Sequence, residues 1–346
     1  MKYNFYIGTY TRGRENGIYQ GLFDSETGGI TPVKAYPSAE PSYLVRSHRG
    51  DTLYAVQEHP LTDSTVGQVQ AWRVNADRTI TFLNTLSTDG GFPCHLTVAP
   101  NDKFLYAANY QDGTAAAFTL NSDGSLGERC SLLRHTGAGP DPDRQECAHL
   151  HCARFTPDDK YIALCDLGLD RVSLHPFDPL AGWGEEKFYV NCAPGAGARH
   201  IIFSADERFA YLICEMGNTV EVFAYTEGVL TPLQTVSTLP ADFAEPNTAA
   251  AVHIAPDGKH LTVSNRGHDS LCTYDIASDG TLENPRFVKT EGICPREFSY
   301  TPDESWLLVA NQEEGGITVF QVDAATGDLK NTGLRADIPY PTCILF

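Results

Sequence analysis

Apolar residues in this chain gather into short runs that end on a polar residue, and the runs resemble one another. "FLYAAN" follows "VAPNDK", "YIALCD" follows "FTPDDK", "FAYLIC" follows "FSADER", "HLTVSN" follows "IAPDGK", and "WLLVAN" follows "YTPDES". A weaker copy is "SHRGDTLYAVQ", and the opening "YNFYIGT" matches the end of the unit. Each run has the β-branched and aromatic content of a strand. The polar ends fall at Thr9, Gln57, Asn109, Asp166, Glu215, Asn265 and Asn311, 46 to 57 residues apart.

A second strand-like piece follows each end, as in "GQVQAWRVN", "NTVEVFAYT" and "GGITVFQVD". Then comes a turn with Gly, Asp or Asn and another apolar residue, as in "NSDGSL" and "ASDGTL", which reads as a hairpin. The fourth unit departs here, with "DPLAGWGEEKF". No window keeps a helical period. Seven units of about four strands predict an all-β chain, a seven-bladed β-propeller of four-stranded antiparallel blades. The closing "YPTCILF" matches the pieces that begin other units ("PSYLV", "PCHLTV", "PREFSY"). The C-terminal strand is therefore expected to complete the N-terminal blade and close the ring, which removes an open sheet edge. Residues 1–346 read as a single domain.

Composition narrows the function classes. The chain carries 25 Lys and Arg against 44 Asp and Glu, a net charge of −19. Nucleic acid would be repelled over most of such a surface. The start "MKYNFYIGTY" lacks the basic and apolar regions of a signal peptide, and no apolar stretch approaches the length of a membrane span. A cytoplasmic location, with no membrane and no nucleic-acid partner, is the expectation; the sequence assigns no oligomeric state. Ten cysteines, none in a C-x-x-C pair, read as reduced and mostly buried.

The first strand of a propeller blade lines the central channel. Aligned on the Pro-Asp turn, one residue per unit shares that position: Ser42, Cys94, His151, Arg199, Ala250, Arg296 and Thr342. His and Arg are not what a purely structural strand start needs. Arg266 stands one residue past Asn265. Arginines are seldom buried unless paired or bound to an anion. Their convergence in an acidic chain predicts a local positive site for a small anion.

The stretches "GPDPDRQECAHLHCARFTPDDKY", "LGLDRV", "GAGARHIIFSADERFAYLICEMGNTVEVF", "VHIAPDGKHLTVSNRGHDS" and "CPREFSYTPD" resemble the seven-bladed propeller lactonase family over essentially the whole chain. That family includes a bacterial 6-phosphogluconolactonase type and the fungal carboxy-cis,cis-muconate cyclase. The resemblance implies a site of one His, one Glu and two or three Arg, falling on His151, Glu215, Arg199 and Arg266, with Arg296 at the repeat-equivalent position. His149, Asp166 and Asn265 are further candidates for substrate contact. By strand alternation His149 lies near His151 on one face. The implied substrate is a small anionic lactone, 6-phosphogluconolactone first, opened without cofactor or metal. Glu215 is expected as base and His151 as acid, with the arginines on the oxyanion and the substrate's anionic group.

Four other readings stand beside this one. The same residues could run a muconate-type lactonising cyclase. Asn109, Asp166, Glu215, Asn265 and Asn311 could form an oxygen ring for a divalent cation, as in metal-dependent lactonases, although Asn and Asp also cap turns. His149 and His151 as a zinc pair lack a Cys or acidic third ligand at metal spacing. A protein-docking propeller is the non-enzyme reading, but the Trp-Asp and Gly-His marks of WD repeats are missing.

Overall fold

The computed structural model describes residues 1–59, 66–180 and 182–346. Its strands form seven antiparallel sheets arranged as blades, each ordered from the inside outward. Blade 3 shows the plan: Pro93–Val98 innermost, then Phe104–Asn109, Thr114–Leu120 and Leu126–Arg134. Blade 4 adds a two-residue strand, Gly182–Trp183, beside its third strand, within the stretch that departs from the repeat. In blade 1 the innermost strand is Pro341–Leu345, hydrogen-bonded to Lys2–Thr9. The expected closure of the ring is therefore observed.

The second strand of each blade is apolar along its length because both of its faces are covered. In blade 3, Leu105 and Ala107 pack toward blade 2, while Phe104, Tyr106 and Ala108 pack toward blade 4. Seven such clusters join the seven neighbouring pairs, the last uniting Phe5 and Ile7 with Leu308 and Val319. The outermost strands face water on one side and alternate, as in Leu126–Arg134.

Two repeated devices set the register. The Pro-Asp turn places a left-handed residue just before the second strand, at Asp102 (φ 53°), Asp159 (φ 56°), Glu207 (φ 63°) and Glu304 (φ 64°), with Gly258 doing the same at lower cost (φ 68°). Tyrosines of second strands also reach the hairpin of the next blade. Tyr54 donates to the Gly124 carbonyl at 2.9 Å, Tyr106 to Gly182 at 2.8 Å, and Tyr211 to Gly280 at 3.0 Å.

Candidate active site

The pairing of first and second strands defines where each repeat delivers its side chains. Asn109 lies opposite Pro93, Asp166 opposite Leu150, Asn265 opposite Ala249 and Asn311 opposite Pro295. In blade 5 the residue so placed is Cys214, opposite Ala198. Glu215 is therefore not the strand-end residue expected from sequence. It stands one residue beyond, and its counterparts are Tyr10, Glu58, Tyr110, Leu167, Arg266 and Gln312. This one-residue correction separates two rings with different work.

Residues of the strand-end ring are latches inside the wall. The amide of Asn265 donates to the Thr238 carbonyl at 2.7 Å and its oxygen accepts from the Thr238 hydroxyl at 2.8 Å. Asn109 donates to the Thr114 hydroxyl at 2.9 Å, and Asn311 to that of Thr318 at 3.1 Å. Asp166 accepts from the His149 amide (2.8 Å), the Leu169 amide (3.1 Å) and His135 Nδ1 (2.8 Å). All four side chains are fully buried. Asp166 and Asn265 are thus absent from the cavity wall, and the proposed ring of cation-binding oxygens does not converge.

The ring one residue further on does converge. Tyr10, Glu58, Tyr110, Glu215 and Arg266 line one cavity of about 480 Å³ at the end of the channel. The inner-strand position contributes Cys94, His151 and Arg296 to the same cavity, and the loop before blade 4 contributes Arg144, Glu146 and His149. Six of the eight residues singled out from sequence meet here: five in the wall, and Arg199 directly behind Glu215.

Glu215 is the centre of charge. Its Oε2 accepts from Arg199 Nε at 3.0 Å and lies 2.8 Å from Arg266 Nη2; its Oε1 accepts from Arg144 Nη2 at 2.6 Å. Its own main chain is held by Gly197 and Ala249 on either side. Burial alone would raise the Glu215 pKa, but Arg266, Arg199 and the Arg144 hydrogen bond outweigh it and hold the carboxyl well below the usual range. Arg199 hydrogen-bonds the Ala250 carbonyl, and burial with Arg266 close by lowers its pKa to about 10.

Arg144 could not be found from the repeat, because its loop belongs to no repeat unit. The loop is nevertheless fixed. Gln145, fully buried, donates to the Leu167 carbonyl and to Asp170, both at 2.8 Å. Asp170 in turn accepts the amides of Gly195 and Gly197 at 2.6 Å. Gly168 lets the loop approach: a Cβ there would sit 1.9 Å from the Cys147 carbonyl oxygen. The Arg144 side chain, 38% exposed, then extends to Glu215 from the cavity mouth.

His151 is 4% exposed, and neither of its ring nitrogens has a hydrogen-bond partner among the described residues. Nδ1 is shut in, so the edge that lines the cavity is the Nε2 edge. Burial, then the charge of Arg199, lowers its pKa well below the ordinary imidazole value, against an opposing pull from Glu215. The ring is neutral at neutral pH. One residue further along the inner strands, the Tyr43 and His95 rings meet tilted, His200 meets His95 edge-on, and His200 meets His151 edge-on with centroids 5.1 Å apart.

His149 donates from Nδ1 to the Tyr110 carbonyl at 2.7 Å and stacks on the Tyr110 ring. Its Nε2 lies 3.3 Å from Glu146, with Cys147 Sγ at 3.8 Å. A Cys and an acidic group therefore do stand at metal spacing, contrary to the sequence expectation, and the three ligand atoms lie within 4.8 Å. They are the set at the cavity that could hold a thiophilic cation. His151 is not one of them.

Arg296 lines the cavity with different company from the other arginines. Its Nη1 donates to Gln312 at 3.3 Å, and its guanidinium lies 5.4 Å from the Tyr10 ring centroid. Glu58 is beside it, holding Tyr10 OH at 3.2 Å and the Ser42 hydroxyl.

The family model described as "Lactonase, 7-bladed beta-propeller" matches residues 4–346. A Bacillus subtilis protein named 6-phosphogluconolactonase is 36% identical over 100% of this chain and 98% of its own. A solved Bacteroides fragilis structure, provisionally titled a 6-phosphogluconolactonase, is 36% identical, with a TM-score of 0.92 over 99% of this chain and 97% of that one. The structure of a periplasmic gluconolactonase from Pseudomonas aeruginosa is 32% identical, with a TM-score of 0.94 over 99% of this chain and 98% of that one.

Proposed function

The chain belongs to the seven-bladed β-propeller lactonase family, and from that premise we propose that it hydrolyses a sugar lactone, 6-phosphogluconolactone first. The observation that carries the mechanism is the pairing of a neutral, unpartnered His151 with a Glu215 already held by three arginines. A carboxylate so engaged is a poor base. The acid and base duties expected from sequence are accordingly reassigned.

His151 Nε2 takes a proton from water as the oxygen attacks the lactone carbonyl. The carbonyl oxygen becomes anionic and is met by the remaining N–H groups of Arg144 and Arg266. Collapse breaks the bond to the ring oxygen, and the imidazolium returns its proton there, leaving an open hydroxy acid. Glu215 holds the arginines in place and steadies the transient imidazolium charge. The substrate's own anionic group lies on this positive side, reached through Arg144 at the mouth. A phosphorylated substrate does not cross a bilayer unaided, so the reaction belongs in the cytoplasm.

A hydrolysis panel of 6-phosphogluconolactone, glucono-δ-lactone and muconolactone tests this, with spontaneous opening subtracted. The expected order of kcat/KM is as written, unchanged by a chelator. Muconolactone as best substrate would favour the cyclase, and loss of turnover with chelator would favour a metal at the Glu146–Cys147–His149 group.

A further inference from the structure

The cavity has a second half that the hydrolytic chemistry leaves unused. On this side stand Glu58, Tyr10 and Arg296, from blades 2, 1 and 7, with Ser42 hydrogen-bonded to Glu58 from behind the wall. We propose that Glu58, with Arg296, reads the ring hydroxyls of the substrate and so selects a polyhydroxylated lactone over an unsaturated diacid one. The proposal rests on the lactonase reading above and names the substrate feature this site recognises.

Glu58 is 6% exposed and sits in the cavity wall, yet no cation lies within 4 Å of it among the described residues. It is held by hydroxyl donors instead, Ser42 Oγ and Tyr10 OH, the latter shared between Oε1 at 3.2 Å and Oε2 at 3.3 Å. An ionised carboxylate has about four acceptor sites, so capacity remains on the cavity side. Among the described residues Arg296 gives one hydrogen bond, to Gln312, which leaves donors for a ligand. A carboxylate acceptor beside a guanidinium donor suits a sugar hydroxyl, which both donates and accepts.

Local charge points the same way. Across the cavity three arginines face Glu215 and the more exposed Glu146, an excess of one positive charge suited to an anion. Here one arginine faces one glutamate, and the sum is zero. A neutral hydroxylated edge is welcome beside Glu58, whereas a second carboxylate would meet like charge in a desolvated place. Burial raises the Glu58 pKa, consistent with a carboxyl that lacks an ion-pair partner.

The test measures binding and turnover separately. Wild type, Glu58→Gln and Glu58→Asp are titrated calorimetrically with gluconolactam, a stable isostere carrying the hydroxyls, and with δ-valerolactam, the bare ring. Wild type should prefer gluconolactam, and Glu58→Gln should lose at least about tenfold in affinity for it, the scale of a hydrogen bond to a charged group, while δ-valerolactam binding stays unchanged. Glu58→Asp, which keeps the charge, should fall between. For glucono-δ-lactone the variants should raise KM and leave kcat within a few-fold.

Equal loss for both lactams, or no preference in wild type, would overturn the proposal. So would a fall in kcat at unchanged KM, which would make Glu58 a proton donor. If wild type binds gluconolactam through Glu58 but opens no lactone, recognition stands and the hydrolytic reading fails.

Discussion

Glu58 and Glu215 occupy the same position of the repeat, one residue past the second strand of blades 2 and 5. Both are nearly buried, at 6% and 5% exposure. One is clasped by three guanidinium groups and the other by two hydroxyls. Burial pushes both carboxyl pKa values upward; for Glu215 the arginines reverse the sign, and for Glu58 they do not. The repeat therefore delivers a carboxylate to the cavity, and its neighbours decide what that carboxylate can do. Divergent environments for like groups are how one site separates charge-holding from recognition.

The contrast is sharpest in stability. Glu215→Gln leaves three arginines without their shared counter-charge, and should cost about 3–5 kcal/mol in urea unfolding. Glu58→Gln keeps its hydroxyl partners and should cost no more than about 1 kcal/mol. Equal losses would mean that the two carboxylates are alike after all. Next in size is the proton-transfer group: His151→Gln should lower kcat by about 10²–10⁴-fold with unfolding midpoint retained. If His151 took no part in proton transfer, kcat would survive that change.

A latch should behave differently from either. Asn265→Ala removes three hydrogen bonds inside the wall, two with Thr238 and one from Asn247, and should cost about 1–3 kcal/mol, with kcat of the folded protein unchanged. A fall in kcat at full folding would return Asn265 to the site.

The smallest effect is in pH. A raised folded pKa at Glu58 means that the native state holds its proton to higher pH than the unfolded chain. Its contribution to stability is therefore lost as pH rises through that raised value. Glu215 works oppositely, stabilising above about pH 4.5 and failing only as pH drops through its depressed value. His151 and His200, both held neutral, add a loss of stability as pH falls below 6.5, where the unfolded chain takes up protons first. Wild type against Glu58→Gln, unfolded in urea between pH 4.5 and 7, should show the variant gaining relative stability as pH rises. A difference flat in pH would remove the contrast.

Much of this was legible in the sequence because a propeller repeats itself. The recurring strand ends exposed seven blades, and the likeness of "YPTCILF" to other inner strands exposed the closure. His151, Arg199 and Arg296 stood out as His or Arg at an inner-strand position, and the resemblance to the lactonase family added Glu215 and Arg266 to them. The slip of one residue at Glu215 hid the ring that holds Tyr10, Glu58 and Tyr110. Blade 5 has Cys214 where its neighbours carry Asn or Asp, so the polar end seemed to lie at Glu215. Asp166 and Asn265 looked functional because they are polar and recurrent, but buried polar groups recur equally well as latches. Arg144 was out of reach for the opposite reason: its loop has no counterpart to be compared with.

The seam in blade 1 gives the site a history as well as a shape. Thr342 donates its hydroxyl to the Gly8 carbonyl at 3.1 Å and to the Ser42 carbonyl at 2.9 Å, and Ser42 seats Glu58. The residues around Glu215, from Arg144 to Arg266, belong to one run of consecutive blades, whereas the seat of Glu58 joins Ser42 to Thr342, 300 residues away. One side of the cavity can thus form within a continuous stretch of chain, and the other exists only once the ring has closed.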